Sequence, residues 1–284
     1  MSLDLRPAWK EMLQRRRDLA PTLAPYADLL ERWAGATATP TREWSVAECR
    51  EQWARGLPLT VATPPPLAGE DVEELLGGAM EQVARLDGAK AAALQRLAAA
   101  WDAGAVTPAS LLPTRDGIGT GAAEAASGLD AAVVTSLACA TLRPALEAWL
   151  AAARPHVDGA DWGRGICPFC GAPPGFIDVV EGGHRRLACH FCGGAWGFAK
   201  LRCPLCGVEG TESLYRLRAE GSEEGYVISG CRQCHGYLKE LDRRERWNGG
   251  PPLLEDWATP HLDLVARREG YLKPVASLLD LLRR

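Results

Sequence analysis

The chain has 284 residues, a net charge of -4 and an ordinary apolar fraction of 47%. That length supports one large domain or two smaller ones, and the charge excludes a general attraction to nucleic acid or anionic lipid. Met1 to Lys10 has no apolar signal core and no stretch approaches 18 unbroken apolar residues, so the expectation is a cytoplasmic protein without an integral membrane segment.

Helical signals come first. Leu5, Trp9, Met12 and Leu13 share one face, and Leu23, Tyr26, Leu30 and Trp33 repeat the pattern after an interruption at Pro21. Ser45 reads as the N-cap of a short helix to Arg55, with Glu48 at the capping-box position. The prolines 64–66 stop regular structure. Periodicity then predicts helix over Glu70–Ala103, closed by Gly104, with a helical turn near Pro108–Leu112 and a loop at Gly117–Gly128. The Gly117–Gly121 run has no predicted strand before it and lacks phosphate-loop spacing. Leu129–Ala153 is apolar almost all round, which predicts a central helix, kinked or split at Pro144.

The character changes near 158–166. Phe176–Val180 and His184–Ala188 read as a hairpin around Glu181-Gly182-Gly183, and Leu214–Leu217 with Tyr226–Ser229 as a second hairpin around Glu220–Gly225. Helix returns at Leu253–Gly270 and Val275–Arg284, a tail expected to pack back on the first half. The fold class is therefore α plus small β, with divisions at 1–160 (helical domain), 161–200 and 201–250 (two small modules) and 251–284 (helical tail).

Eight of the ten cysteines form four CxxC pairs: Cys167/Cys170, Cys189/Cys192, Cys203/Cys206 and Cys231/Cys234. In a reducing compartment such pairs read as metal ligands before disulfides, and two pairs fill one tetrahedral shell. Eighteen residues separate the first two pairs and twenty-four the last two, room for a hairpin between knuckles; only ten separate the middle two. The spacing favours two sequential ribbons, with the crossed RING-like pairing as the alternative. Each site would hold one ion, iron or zinc, through four thiolates. His184, His190 and His235 are not needed as ligands. Cys49 and Cys139 read as small buried side chains.

No catalytic constellation accompanies the cysteines, and closed shells leave no position for hydrolytic chemistry, so an enzyme is not expected. From Cys167 to Gly250, Lys and Arg number 11 and Asp and Glu 10. Two dianionic thiolate sites would bring this to about -3, which argues against a nucleic-acid ribbon. Trp196, Tyr237, Arg243 and Trp247 suit either a protein–protein surface or packing between domains.

The motif series resembles the formate dehydrogenase accessory protein family of the FdhE type. The likeness rests on Cys167-Pro-Phe-Cys-Gly with Pro173 and Pro174, on Leu187-Ala-Cys-His-Phe-Cys192 continuing to Trp196, and on Cys203-Pro-Leu-Cys206. It continues through Gly230-Cys-Arg-Gln-Cys-His-Gly-Tyr-Leu-Lys239 and 256–271, with Leu142-Arg143-Pro144 in the first half. The resemblance implies a helical domain with rubredoxin-like modules associated with iron. It also implies a cytoplasmic accessory role: binding the catalytic subunit of formate dehydrogenase before export and assisting its maturation. Only the eight cysteines carry over. Alternatives are a rubredoxin-like electron carrier acting on that client and, disfavoured, a nucleic-acid-binding ribbon; homo-oligomer formation stays open.

Overall fold

The computed structural model describes residues 4–36, 41–67, 70–157, 162–218 and 224–277. Helix α1, Arg6–Arg15, turns Trp9 and Met12 inward. One 3-10 turn later, α2, Ala20–Gly35, buries Leu23, Tyr26, Leu29, Leu30 and Trp33. The interruption falls at 16–19, and Pro21 sits just after it in the first turn of α2, where a missing N–H costs little. Helix α3, Val46–Ala54, is capped by Ser45, whose side chain accepts from Glu48 N at 3.2 Å. The capping box is half formed, because the Glu48 carboxylate pairs with Arg42 instead. A short α4, Leu59–Ala62, precedes the prolines.

The helical signals over 70–103 belong to two helices, α5 (Glu70–Leu86) and α6 (Ala91–Asp102). Asp87 separates them by accepting a hydrogen bond from Ala89 N at 3.1 Å, a local alternative to the helical ladder. The expected loop at 117–128 is also ordered. Strands β1 (Pro113–Thr114) and β2 (Gly117–Ile118) form a hairpin, and α7 spans Gly121–Ser127. Its alanines outweigh the glycines that punctuate the segment, and Gly128, at φ 75°, ends it.

Helix α8, Ala131–Leu150, is the buried axis of the helical half, as its all-round apolar surface predicts. It runs through Pro144 without a break. Proline removes the N–H that would bond the carbonyl four residues back, and Trp33 Nε1 supplies a donor to that Ala140 oxygen at 2.7 Å.

The second half centres on one six-stranded sheet. Its strands are β3 (Phe176–Val179), β4 (Arg185–Ala188), β5 (Ala195–Gly197), β6 (Leu214–Leu217), β7 (Tyr226–Cys231) and β8 (Tyr237–Asp242), in the order β5-β4-β3-β8-β7-β6. Both predicted hairpins are present; of the second one's turn, residues 220–223 lie outside the described residues. Strand β8 fuses the two ribbons by pairing parallel to β3, with Phe176 opposite Lys239, and antiparallel to β7.

The tail contains two short helices, α9 (Pro252–Trp257) and α10 (Pro260–Arg268), because Pro260 starts a new helix. Residues 275–277 are not helical and 278–284 lie outside the described residues. Within the tail, Trp257 stacks on Tyr26 (ring centroids 4.2 Å apart) and meets Trp9 edge-on at 6.1 Å. The main core runs from α1 through α8 into the first ribbon. Phe176, Ala188, Tyr226, Ile228, Tyr237 and Leu241 form a second, smaller core with Leu262, Ala266 and Tyr271.

Candidate metal centres

All four CxxC pairs adopt one backbone turn. The amide of the first cysteine donates to the carbonyl five residues on, as in Cys167 to Ala172 (2.8 Å) and Cys203 to Val208 (2.8 Å). The residue after the second cysteine donates back to the first cysteine's carbonyl, as in Gly171 to Cys167 (2.9 Å) and His235 to Cys231 (2.9 Å). Closing this turn needs positive φ at that residue: Gly171 83°, Gly193 68°, Gly207 80° and His235 53°. Glycine meets the requirement freely in three knuckles; His235 is the non-glycine residue that adopts it.

The turns bring the sulfurs into two sequential groups: Cys167, Cys170, Cys189 and Cys192, then Cys203, Cys206, Cys231 and Cys234. Within each group the Sγ atoms all lie within 4.8 Å of one another. Edges measure 3.6 Å (Cys167–Cys192), 3.5 Å (Cys170–Cys189), 3.8 Å (Cys203–Cys234) and 3.7 Å (Cys206–Cys231). A regular tetrahedron with metal–sulfur bonds of about 2.3 Å has edges of about 3.8 Å. Either cage could thus hold one ion. The donor set suits zinc and mononuclear iron alike.

Burial pushes the Cys167 and Cys170 thiols well above their usual range. At Cys192 burial acts in the same direction, but hydrogen bonds from Cys167, Cys170 and Cys189 outweigh it and hold the thiol well below that range. One buried thiolate is stabilised by its neighbours, whereas four need a cation among them.

The first cage is enclosed by the helical half. Leu59 and Thr60 amides donate to Pro168 O (3.1 Å) and Phe169 O (3.0 Å), and Trp53 Nε1 donates to Pro168 O at 3.0 Å. Arg143 Nη1 and the Cys139 thiol both donate to His190 O, and Arg154 to Cys192 O. Glu147 lies between the two guanidinia, 3.6 Å from Arg143 and 3.5 Å from Arg154. The second cage is partly open: Cys203 and Cys231 are buried, Cys206 and Cys234 exposed. Leu205 N donates to Cys203 Sγ at 3.4 Å, an amide–sulfur bond of the kind that supports a thiolate ligand.

The histidines stand outside both cages. His190 is buried, with Nε2 3.1 Å from Asp256 Oδ2. Asp256 belongs to an ionic network with Lys239 (2.9 Å) and Lys273 (2.7 Å), while Lys239 and the Tyr237 hydroxyl both bond Asp263 at 2.7 Å. Sequence reasoning missed this network. Its only local sign was charge within the apolar run of β8. Arg143 and Glu147 had a clearer signal, an i,i+4 charge pair on an otherwise apolar helix. Cys49 and Cys139 are buried, and burial pushes their thiols up to about 11 and about 12, which makes them poor nucleophiles. Of the four residues read as a partner surface, Trp196 and Tyr237 are interior and Arg243 is bonded to Asp178 at 2.8 Å; Trp247, 84% exposed, is on the surface.

No family model matches the chain. A protein FdhE homolog of Stutzerimonas stutzeri is 37% identical over 119 residues, 40% of this chain and 38% of that protein. An FdhE homolog of Aquifex aeolicus is 32% identical over 117 residues, 39% of this chain and 40% of that one. The matched stretches thus span no more than 40% of these two relatives' lengths. The crystal structure of the FdhE protein from Pseudomonas aeruginosa superposes with a TM-score of 0.58 over 96% of this chain and 93% of that one, at 22% identity. At that identity the match concerns the fold.

Proposed function

We propose that this chain, related to the FdhE family, is an accessory protein for formate dehydrogenase: it binds the catalytic subunit in the cytoplasm before export and serves its maturation, without a catalytic site of its own. The observation that carries this reading is the pair of tetrahedral four-sulfur cages on a fold in common with an FdhE protein. Cys167, Cys170, Cys189 and Cys192 would hold one ion, and Cys203, Cys206, Cys231 and Cys234 the other. The first ion would lock the helical half against the sheet, and the second would order the exposed knuckles. Among the described residues no single helix is long and apolar enough to cross a membrane.

The test is co-purification with a tagged formate dehydrogenase catalytic subunit, in reduced and in oxidised lysates. Recovery in either supports the reading; failure in both overturns it.

The exposure of Cys206 and Cys234 favours a second reading, in which the second cage holds iron and passes an electron to the client. Protein purified without oxygen should then be coloured and contain iron. A colourless protein with two zinc ions removes this reading and leaves the scaffold role in place. The near-balanced charge of the ribbon region gives no support to nucleic-acid binding.

A further inference from the structure

A cavity of about 430 Å³ lies against the second cage, bounded by the β3–β4 turn, the segment leading into Cys203, and strands β6 to β8. That volume is in the range of ligand sites. Its apolar wall includes Leu201, Leu205, Leu214 and Leu238, with Leu201 56% exposed. Its charged side chains are Arg185, Lys200, Arg216 and Arg244 with Glu240, and Cys203 and Cys231 of the second cage line the same space.

Two of these cations are already neutralised. Arg216 pairs with Glu240, and Arg244 grips both oxygens of Asp242. Neither of the other two forms a close ion pair among the described residues, although Glu240 and Cys203 act on Arg185 electrostatically. Arg185 is 8% exposed; its Nη1 donates to the carbonyls of Ala199 (3.3 Å) and Arg202 (3.0 Å), while its Nε is buried without a partner. Lys200 is exposed beside it. A side chain on Gly183 would begin 3.0 Å from the Arg244 guanidinium and 3.1 Å from the Lys200 ammonium, so these tips converge on one point at the cavity wall. A buried guanidinium with a spare N–H is costly, and an anion entering the cavity would relieve it.

The cavity adjoins a sheet edge. Strand β6 pairs with β7 on one side and ends the sheet on the other. Leu214 and Arg216, two residues apart on one face of β6, line the cavity. An extended peptide added along such an edge sends alternate side chains over the same face.

We propose that the cavity is a docking site for an acidic, extended segment of a partner polypeptide, laid along β6, with one carboxylate reaching Arg185 and Lys200 and an apolar side chain against Leu201 and Leu214. The site stands independently of the partner's identity, which rests on the accessory-protein reading above.

The experiment uses the full-length, metal-loaded protein and a fluorescent peptide, Ile-Glu-Val-Glu-Leu, with Ile-Gln-Val-Gln-Leu as control, read by anisotropy. The acidic peptide is expected to bind at least about tenfold more tightly than the control, and Lys200→Gln to weaken it about tenfold, as loss of a charged hydrogen bond does. Arg186→Gln, at an exposed β4 position on the opposite face, should leave binding unchanged. Equal binding of the two peptides, no binding by either, or an unaffected Lys200→Gln variant overturns the proposal. So does an Arg185→Gln variant that loses metal but keeps the peptide, since Arg185 would then only balance the thiolates. Lys200→Gln keeps the test valid if Arg185→Gln does not fold. Peptide binding without recovery of formate dehydrogenase would sink the client assignment and leave this site standing; the reverse would sink this site alone.

Discussion

Around the first cage, the knuckle carbonyls are held by Trp53, Arg143, Arg154 and the amides of α4, and all four sulfurs are buried in the core shared with the helices. Around the second, two sulfurs face solvent and the neighbouring aromatic core is small. The same backbone turn, repeated four times, thus serves two ends. In the first cage it is part of the molecule's interior. In the second it is a surface element beside a cavity and a sheet edge. What differs is the number of groups from distant segments that converge on the knuckles.

The largest test of this contrast removes one ligand from each cage. A structural tetrathiolate site contributes on the order of 10 kcal/mol to folding, comparable to the whole stability of a domain. Cys192→Ser should therefore lose one ion together with the cooperative thermal transition of the helical half, followed by circular dichroism. Cys234→Ser should lose one ion and keep that transition. With the native protein, a chelator should strip the second ion first. Equal collapse of both variants would dissolve the distinction.

The buried charges around the first cage come next. Arg143→Met leaves Glu147 in the interior with Arg154 as its remaining partner. Breaking such a pair costs about 3–5 kcal/mol, read from the urea midpoint. Combining it with Glu147→Leu should recover most of the loss. Near the second cage the comparable change is Arg202→Met, which breaks the exposed Arg202–Glu209 pair (3.7 Å) and should cost less than about 1 kcal/mol.

The same contrast separates what could be read in the chain from what could not. The cage membership follows from local facts, CxxC spacing and gap length, because each knuckle is a short turn closed by its own residues. The central helix α8 was legible for a similar reason, since a surface apolar all round has no other place. Strand β8 was not, although it joins the two ribbons. Its Lys239-Glu240-Leu241-Asp242 run reads as solvated, yet Lys239 is 0% exposed because Asp256 and Asp263 arrive from the tail to neutralise it. Helix α8 also survives Pro144 through a donor on Trp33, more than a hundred residues away. Such partners are fixed by tertiary packing and leave no local signature.

A smaller effect distinguishes the cages by pH. Burial pushes the His190 imidazole below its ordinary pKa of about 6.5, against the opposing pull of Asp256, so the folded protein takes up this proton less readily than the unfolded chain. Stability from this site is complete above about pH 6.5 and falls below it, by at most about 1.4 kcal/mol per pH unit, until the folded-state pKa is passed. Asp256 does not contribute over that range. Burial pushes it up, but Lys239 and Lys273 outweigh burial and hold it well below the carboxylate range, so its share is lost only under stronger acid. The stability difference between the native protein and His190→Gln should shrink from pH 7.5 to 5.5; a constant difference would mean that His190 does not titrate. No equivalent buried histidine packs against the second cage among the described residues.

The smallest expected effect lies in the fourth knuckle. Three knuckles place glycine at the left-handed position and this one places His235, at φ 53°. A non-glycine residue there costs about 1–2 kcal/mol, of which the greater chain entropy of glycine returns about 0.5–1 kcal/mol. His235→Gly should therefore stabilise the second ribbon by roughly 0.5–1 kcal/mol, less the ring contact with Tyr271 at 5.9 Å. The backbone bonds of this turn, from Leu272 N to His235 O (2.7 Å) and from Tyr237 N to Leu272 O (3.0 Å), do not involve the side chain and should persist. The measurement is the chelator concentration that releases half of the second ion, which should rise, with release from the first cage unchanged. A fall would show that the His235–Tyr271 contact outweighs the backbone strain, and that the open cage, like the enclosed one, depends on a side chain reaching it from a distant segment.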